Sequence, residues 1–212
     1  VAKATGNQIA KLAAKCMIGI KIKSKTLLPW YSNKKFAVKE AVFPFKKFKG
    51  VDVLLGPEMK STGEVMGISD TFGLSFYKAT LSAGIKLPEA GEIFISVIDE
   101  DKFKIISIAR GFVELGFKII ATEGTSKELK KNGIPTNTVY KVGEGRPNIV
   151  DFIKNNKINL IVNTPLGEQS RYDEEAIGKA CIQKGIMAIT TISAAEAVLH
   201  AIRTRNKIKV KS

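Results

Sequence analysis

Three short stretches carry the residue types that hold a phosphate. Thr122-Glu123-Gly124-Thr125-Ser126 sets small hydroxyls and a glycine directly ahead of a helical pattern. Unpaired N–H groups at a helix start, and the helix dipole, both favour an anion there. Lys141, Gly143, Gly145 and Arg146-Pro147 make a second stretch, and Asn163-Thr164-Pro165-Leu166-Gly167 a third. Taken singly, each is better explained by the N-caps and turn formers that any strand-to-helix loop needs. Sharing one edge of a sheet, the three favour an anion or phosphate site. No nucleophile–base pair accompanies them. The one histidine, His200, stands between Leu199 and Ala201 and reads as packing or surface. Asp173-Glu174-Glu175 opens a helix and reads as dipole compensation. No metal-ligand spacing occurs. This is the pattern of a binding site without a reaction: no catalytic and no metal-binding residue is assigned.

The elements that would position these loops are regular after about residue 89. Strands are expected at Glu92–Ile98, Phe117–Ala121, Thr138–Val142, Leu160–Asn163 and Ile186–Ile192. Helices are expected at Asp101–Leu115, Ser126–Lys131, Pro147–Asn155, Asp173–Lys184 and Ala194–Arg205. Ile105, Ile108, Ala109, Phe112 and Leu115 form an apolar stripe on the first of these helices, and Gly116 ends it. The strands are short apolar runs, as in parallel strands buried on both faces. Alternation of strand and helix predicts an α/β fold with a five-stranded, parallel, doubly wound, flavodoxin-like sheet. Ligands of such sheets bind beyond the strands' carboxyl ends, where the three loops fall.

The composition shifts near Leu87-Pro88-Glu89-Ala90-Gly91. Residues 1–88 hold 15 Lys+Arg against 5 Asp+Glu, and residues 89–212 hold 19 against 15, out of a net charge of +14. In the first part Ile9, Leu12, Ala13, Cys16 and Met17 have helical spacing, Ala37–Phe45 reads as a strand, and Asp70 as the cap of a helix from Thr71 to Ala83. It is expected to be mostly helical, with few apolar residues and no sheet to complete, and so a poor independent domain. The basic charge invites a nucleic-acid partner, but only five of 34 cationic residues are Arg, the better reader of bases and phosphates. Nucleic acid is therefore not assigned. Nor is a membrane, because no apolar run approaches the ~20 residues that cross one. Cys16 and Cys181 sit in apolar helical patterns and read as buried free thiols of a reducing cytoplasm. Val1-Ala2-Lys3-Ala4-Thr5-Gly6, without Met or a signal-like core, reads as the cut end of a longer chain.

Read together, these residues resemble the C-terminal end of the carbamoyl-phosphate synthase large chain. The resemblance is carried by Val1–Gly6, by Val38-Lys39-Glu40-Ala41-Val42-Phe43-Pro44-Phe45, and above all by Gly50-Val51-Asp52 and Leu55-Gly56-Pro57-Glu58-Met59-Lys60-Ser61-Thr62-Gly63-Glu64-Val65-Met66-Gly67. It implies that residues 1–88 are the tail of the second ATP-grasp unit. Residues 89–212 would be the regulatory, methylglyoxal synthase-like domain. The family is a ligase, hydrolysing glutamine and joining bicarbonate, ammonia and ATP into carbamoyl phosphate for pyrimidine and arginine synthesis. Its metal-binding Glu and Asn lie upstream of Val1, so this stretch alone is expected to be inactive and to hold no cofactor. ATP with Mg or Mn is implied for the full large chain. The implied partners are the rest of that chain, the small glutaminase subunit, and further copies through the regulatory domain.

The resemblance also implies an allosteric nucleotide of UMP, UTP or IMP type. By motif its phosphate contacts are Lys102, Thr122, Thr125 and Lys141, with Asn163 and Thr164 nearby. Pro165 stands where some relatives have another hydroxyl, and Glu174 where they have a serine, which leaves the effector open. Glu64 and Thr190 fall where some relatives bind ornithine, Glu64 being equally readable as a structural anchor. The rival reading is a free-standing lyase of the methylglyoxal synthase type. It is disfavoured because Asn163 stands where the active relatives carry an Asp base, and the histidine they carry a little downstream has no counterpart.

Overall fold

A computed structural model describes residues 2–23, 34–43, 61–164 and 171–205. Helices α1 (Ala2–Thr5) and α2 (Ile9–Met17) come first, then strands β1 (Phe36–Val42) and β2 (Gly63–Ser69) and helix α3 (Phe72–Ser82). β1 and β2 pair antiparallel, Phe36 opposite Ser69 and Val42 opposite Gly63. The part expected to be mostly helical thus also contains a small sheet. Helix α3 covers it: Ser75 Oγ donates to the Phe36 carbonyl (2.9 Å) and Lys78 Nζ to that of Ile68 (3.2 Å). Gly67 permits the crossing, because a side chain there would collide with the Ser75 carbonyl. The cap of α3 is Thr71, whose Oγ1 accepts from Leu74 N, and not the expected Asp70. Residues 44–60, with most of the Gly50–Gly67 run, lie outside the described residues.

The second part is a three-layer α/β unit. In order come β3 (Glu92–Ser96), a 3-10 turn (Asp99–Asp101), α4 (Lys102–Glu114), β4 (Lys118–Ala121), α5 (Glu123–Lys131), β5 (Thr136–Thr138), α6 (Ile149–Lys154), β6 (Leu160–Asn163), α7 (Arg171–Lys184), β7 (Met187–Ile189) and α8 (Ile192–Thr204). The five strands are parallel in the order β5-β4-β3-β6-β7. The doubly wound parallel sheet is as expected. Its order corrects the flavodoxin-like expectation, since the chain starts at the central strand, winds out to one edge, and returns to fill the other. Connections therefore diverge between β3 and β6, which makes their carboxyl ends the switch point.

Alternation along the buried strands feeds two cores. Ile93, Ile95, Ile119, Leu160 and Val162 pack with Ile105, Phe112, Leu129 and Val198 from α4, α5 and α8. Phe94, Ile120 and Ile161 pack with Ile149, Ile153, Ile177 and Cys181 from α6 and α7. Helix α3 closes on α8 at Gly73, where a Cβ would come within 2.6 Å of the His200 carbonyl oxygen. That close seam joins the two parts of the chain.

Of the two cysteines, Cys181 is buried as expected and Cys16 is exposed on α2, which buries none of its residues. Burial pushes the Cys181 thiol up to about 12, so almost none of it is thiolate at neutral pH. Native protein is therefore expected to titrate one thiol rapidly with a chromogenic disulfide, the second reacting only on unfolding. Prompt reaction of both would show that α7 is not docked. Among the described residues no helix is long and apolar enough to cross a membrane.

Candidate functional site

The ends of β3, β4, β5 and β6 surround one cavity of about 130 Å³. It adjoins the switch point, the position that strand order alone designates. Lys102, Thr122, Thr125, Lys141, Asn163 and Thr164 all line it. The structure thus brings together all six residues carried over for the phosphate.

Buried hydroxyls frame the floor. Thr122 occupies the N-cap position of α5, yet its side chain makes no cap bond. Its Oγ1 instead lies 3.1 Å from Ser96 Oγ and 3.5 Å from Thr125 Oγ1. Thr125 Oγ1 accepts from Val97 N (3.2 Å) and Thr164 Oγ1 from Ile98 N (3.0 Å). Thr164 N in turn donates to the Ser96 carbonyl (3.0 Å). A hydroxyl has one hydrogen and two lone pairs. Because Thr125 and Thr164 spend lone pairs on the β3–α4 loop, each keeps its O–H hydrogen to donate toward an anion. The simple N-cap explanation therefore fails for Thr122, the residue it suited best.

The cations stand on the walls. Lys102, in the first turn of α4, places Nζ 2.7 Å from Asp99 Oδ1. It also reaches the first turn of α5, where a Cβ on Gly124 would lie 3.3 Å from Nζ. Gly124 is thus the residue that lets the ammonium approach. Lys141, beyond β5, lies 3.6 Å from Glu144 Oε1. Across from them Asp173 and Glu174, in the first turn of α7, line the same cavity. Desolvation holds the Asp173 carboxyl above the usual carboxylate range, opposed by the Lys141 charge and reinforced by Glu144 and Glu174. Asp173 therefore does more than compensate a dipole: it sits in the cavity wall. Pro165 lies outside the described residues.

The polar lining residues Ser96, Asp99 and Asp173 were not foreseen as part of the site. Glu64 and Thr190 are not on this cavity. Glu64, on β2, pairs with Lys39 at 2.7 Å, and that ammonium holds its carboxyl below the usual range. The pair bridges β1 and β2 on the solvent-exposed surface. His200 is half exposed on α8, 3.8 Å from Glu196, and also off the cavity. Among the described residues no group of three His, Cys, Asp or Glu side chains converges as a metal site.

A family model described as the MGS-like domain matches residues 104–190. The carbamoyl phosphate synthase large chain of Acidobacterium capsulatum is 50% identical over 208 residues, which are 95% of this chain and 19% of that one. The large chain of Archaeoglobus fulgidus is 50% identical over 215 residues, 100% of this chain and 20% of that one. In Aquifex aeolicus the "C-terminal section" of a carbamoyl phosphate synthase large chain is 47% identical over 226 residues, 99% of this chain and 42% of that one. The chain spans 19% to 42% of the length of these relatives. It therefore belongs with the carbamoyl phosphate synthase large chains, to their C-terminal part, and residues 104–190 are its MGS-like domain.

Proposed function

We propose that this chain is the regulatory portion of a glutamine-dependent carbamoyl phosphate synthase, and that the cavity takes the phosphate of an allosteric nucleotide. The observation that carries the reading is the meeting of Lys102, Thr122, Thr125, Lys141, Asn163 and Thr164, from four separate loops, at the switch point. Residues 1–88 are the tail of the ATP-grasp unit in this reading, and residues 89–212 the allosteric domain. Ligase chemistry, with its ATP and metal, belongs to the rest of the large chain, and the ammonia to the glutaminase subunit. Support for a partner surface comes from α2 and its continuation, where Ile9, Met17 and Ile18 are 40%, 88% and 75% exposed. Apolar groups so concentrated suit burial against the remaining large chain. Ornithine at Glu64 is a weaker part of the proposal, because Lys39 already supplies that carboxylate with a cation.

Calorimetric titration with UMP, UTP, IMP and ornithine tests this reading. One nucleotide is expected to bind, and Lys141→Ala to weaken it about tenfold or more, a charge-assisted hydrogen bond being worth roughly 1.5–3 kcal/mol. Binding by none of the nucleotides would overturn it. The lyase reading gains one observation, since Asp99 and Asp173 add carboxylates to a cavity where Asn163 stands at the expected place of the base. Phosphate release from dihydroxyacetone phosphate would establish that rival.

A further inference from the structure

Lys102 occupies an electrostatically unfavourable place. Its ammonium stands beside the first turn of α5, the helix end that carries unpaired N–H groups and positive potential. Two positive groups facing one space require an anion. In this structure Asp99 supplies it, with Oδ1 at 2.7 Å from Nζ. The two partners differ sharply in setting: the Lys102 side chain is 27% exposed and that of Asp99 88%. The cation is held by the fold, whereas the carboxylate reaches in from solvent on a short 3-10 turn. Asp99 and Lys102 both line the cavity. An arriving phosphate and the Asp99 carboxylate therefore compete for one ammonium.

We infer that Asp99 is a displaceable counter-ion, a built-in stand-in for the ligand's phosphate, which orients Lys102 and sets the affinity with which the phosphate binds. The inference rests on the phosphate-site reading above and adds to it how the site is regulated. The pair has the i,i+3 spacing of a local latch, so its release needs only a side-chain rotation and no movement of α4. Neighbouring acids are differently engaged: Asp101 pairs with Lys104 at 3.2 Å, and Glu100 does not line the cavity.

The test is to titrate the wild-type chain, Asp99→Asn and Glu100→Gln with UMP and with IMP. Both substitutions remove one negative charge from the same turn, but only the first removes the competitor. Asp99→Asn is expected to bind about fivefold tighter, the worth of a strong surface ion pair; Glu100→Gln should stay within about twofold. In a Lys102→Met background the gain from Asp99→Asn is expected to vanish, as a pairwise coupling must. Equal affinity of Asp99→Asn and wild type would overturn the latch while leaving the phosphate site standing. So would a gain that persists without Lys102, which would mark a general field effect. If neither nucleotide binds either protein, the phosphate site falls and the latch with it. Binding by Asp99→Asn alone would support both.

Discussion

A chain carrying Lys102→Ala together with Lys141→Ala is expected to lose nucleotide binding by a factor on the order of 10²–10⁴, two charge-assisted bonds at roughly 1.5–3 kcal/mol each. The side chains of Lys102 and Lys141 are 27% and 45% exposed, and neither belongs to the buried cores, so the substitutions should leave folding nearly unchanged. That separation makes them better probes than the hydroxyls. Thr125→Val would also strip Val97 N of its acceptor, and changing Thr164 would do the same to Ile98 N, so lost binding would be confounded with a disturbed loop. Both lysines line one cavity, and if they share one phosphate as proposed the two single losses should not simply add. Calorimetry on the two single variants and the double gives the coupling directly. Unchanged affinity in the double variant would show that the hydroxyl floor is not a phosphate seat.

Five of the six residues proposed for the phosphate were legible as an anion site from local chemistry, and Lys102 came from the resemblance alone. Loops at strand ends must turn, and small hydroxyls with glycine mark them. Thr122–Ser126 and Asn163-Thr164 are therefore visible without knowledge of the sheet. Ser96 and Asp99 carry no such mark, because β3 ends at Ser96 and runs into Val97-Ile98 with no glycine, and an acid such as Asp99 is ordinary just ahead of a helix. Asp173 does start a helix, and only the fold reveals that this helix start also walls the cavity. Strand order was beyond reach for a related reason. It depends on which face each helix covers, and short apolar strands buried on both faces give no sidedness.

The misplaced elements have equally specific causes. β5 is Thr-Asn-Thr at the edge of the sheet, with only Thr136 buried, so its apolar neighbours drew the expected strand toward Val139 and Val142. β2 escaped notice because the face it turns to α3 is made of Gly67 and Ser69, both buried. Close crossing demands small residues there, and small residues erase the alternation by which strands are found. Cys16 lies on a helix whose apolar stripe has no described cover, so periodicity identified the helix and misjudged its burial.

Phe112→Ala is expected to cost about 3–5 kcal/mol of stability, the usual toll of deleting a buried aromatic ring. At roughly 2–4 °C per kcal/mol for a chain of this size, the melting temperature should fall by about 6–20 °C. Phe112 is fully buried on α4, its ring edge-on to Phe117 with centroids 6.0 Å apart. Around it the packing is close: a Cβ on Gly111 would come within 2.6 Å of Leu199 from α8, which leaves little slack to refill the hole. Phe103, on the same helix, supplies the comparison, since it is 85% exposed and its truncation should stay within about 0.5 kcal/mol. Urea denaturation of the two variants separates the cases, and similar losses would mean that α4 does not dock by the face described. The two ends of α4 then divide the labour. At about 1.5 Å per residue Phe112 lies roughly 15 Å along the helix from Lys102. Folded Phe112→Ala should therefore bind nucleotide as wild type does, while Lys102→Ala should unfold like wild type and bind poorly.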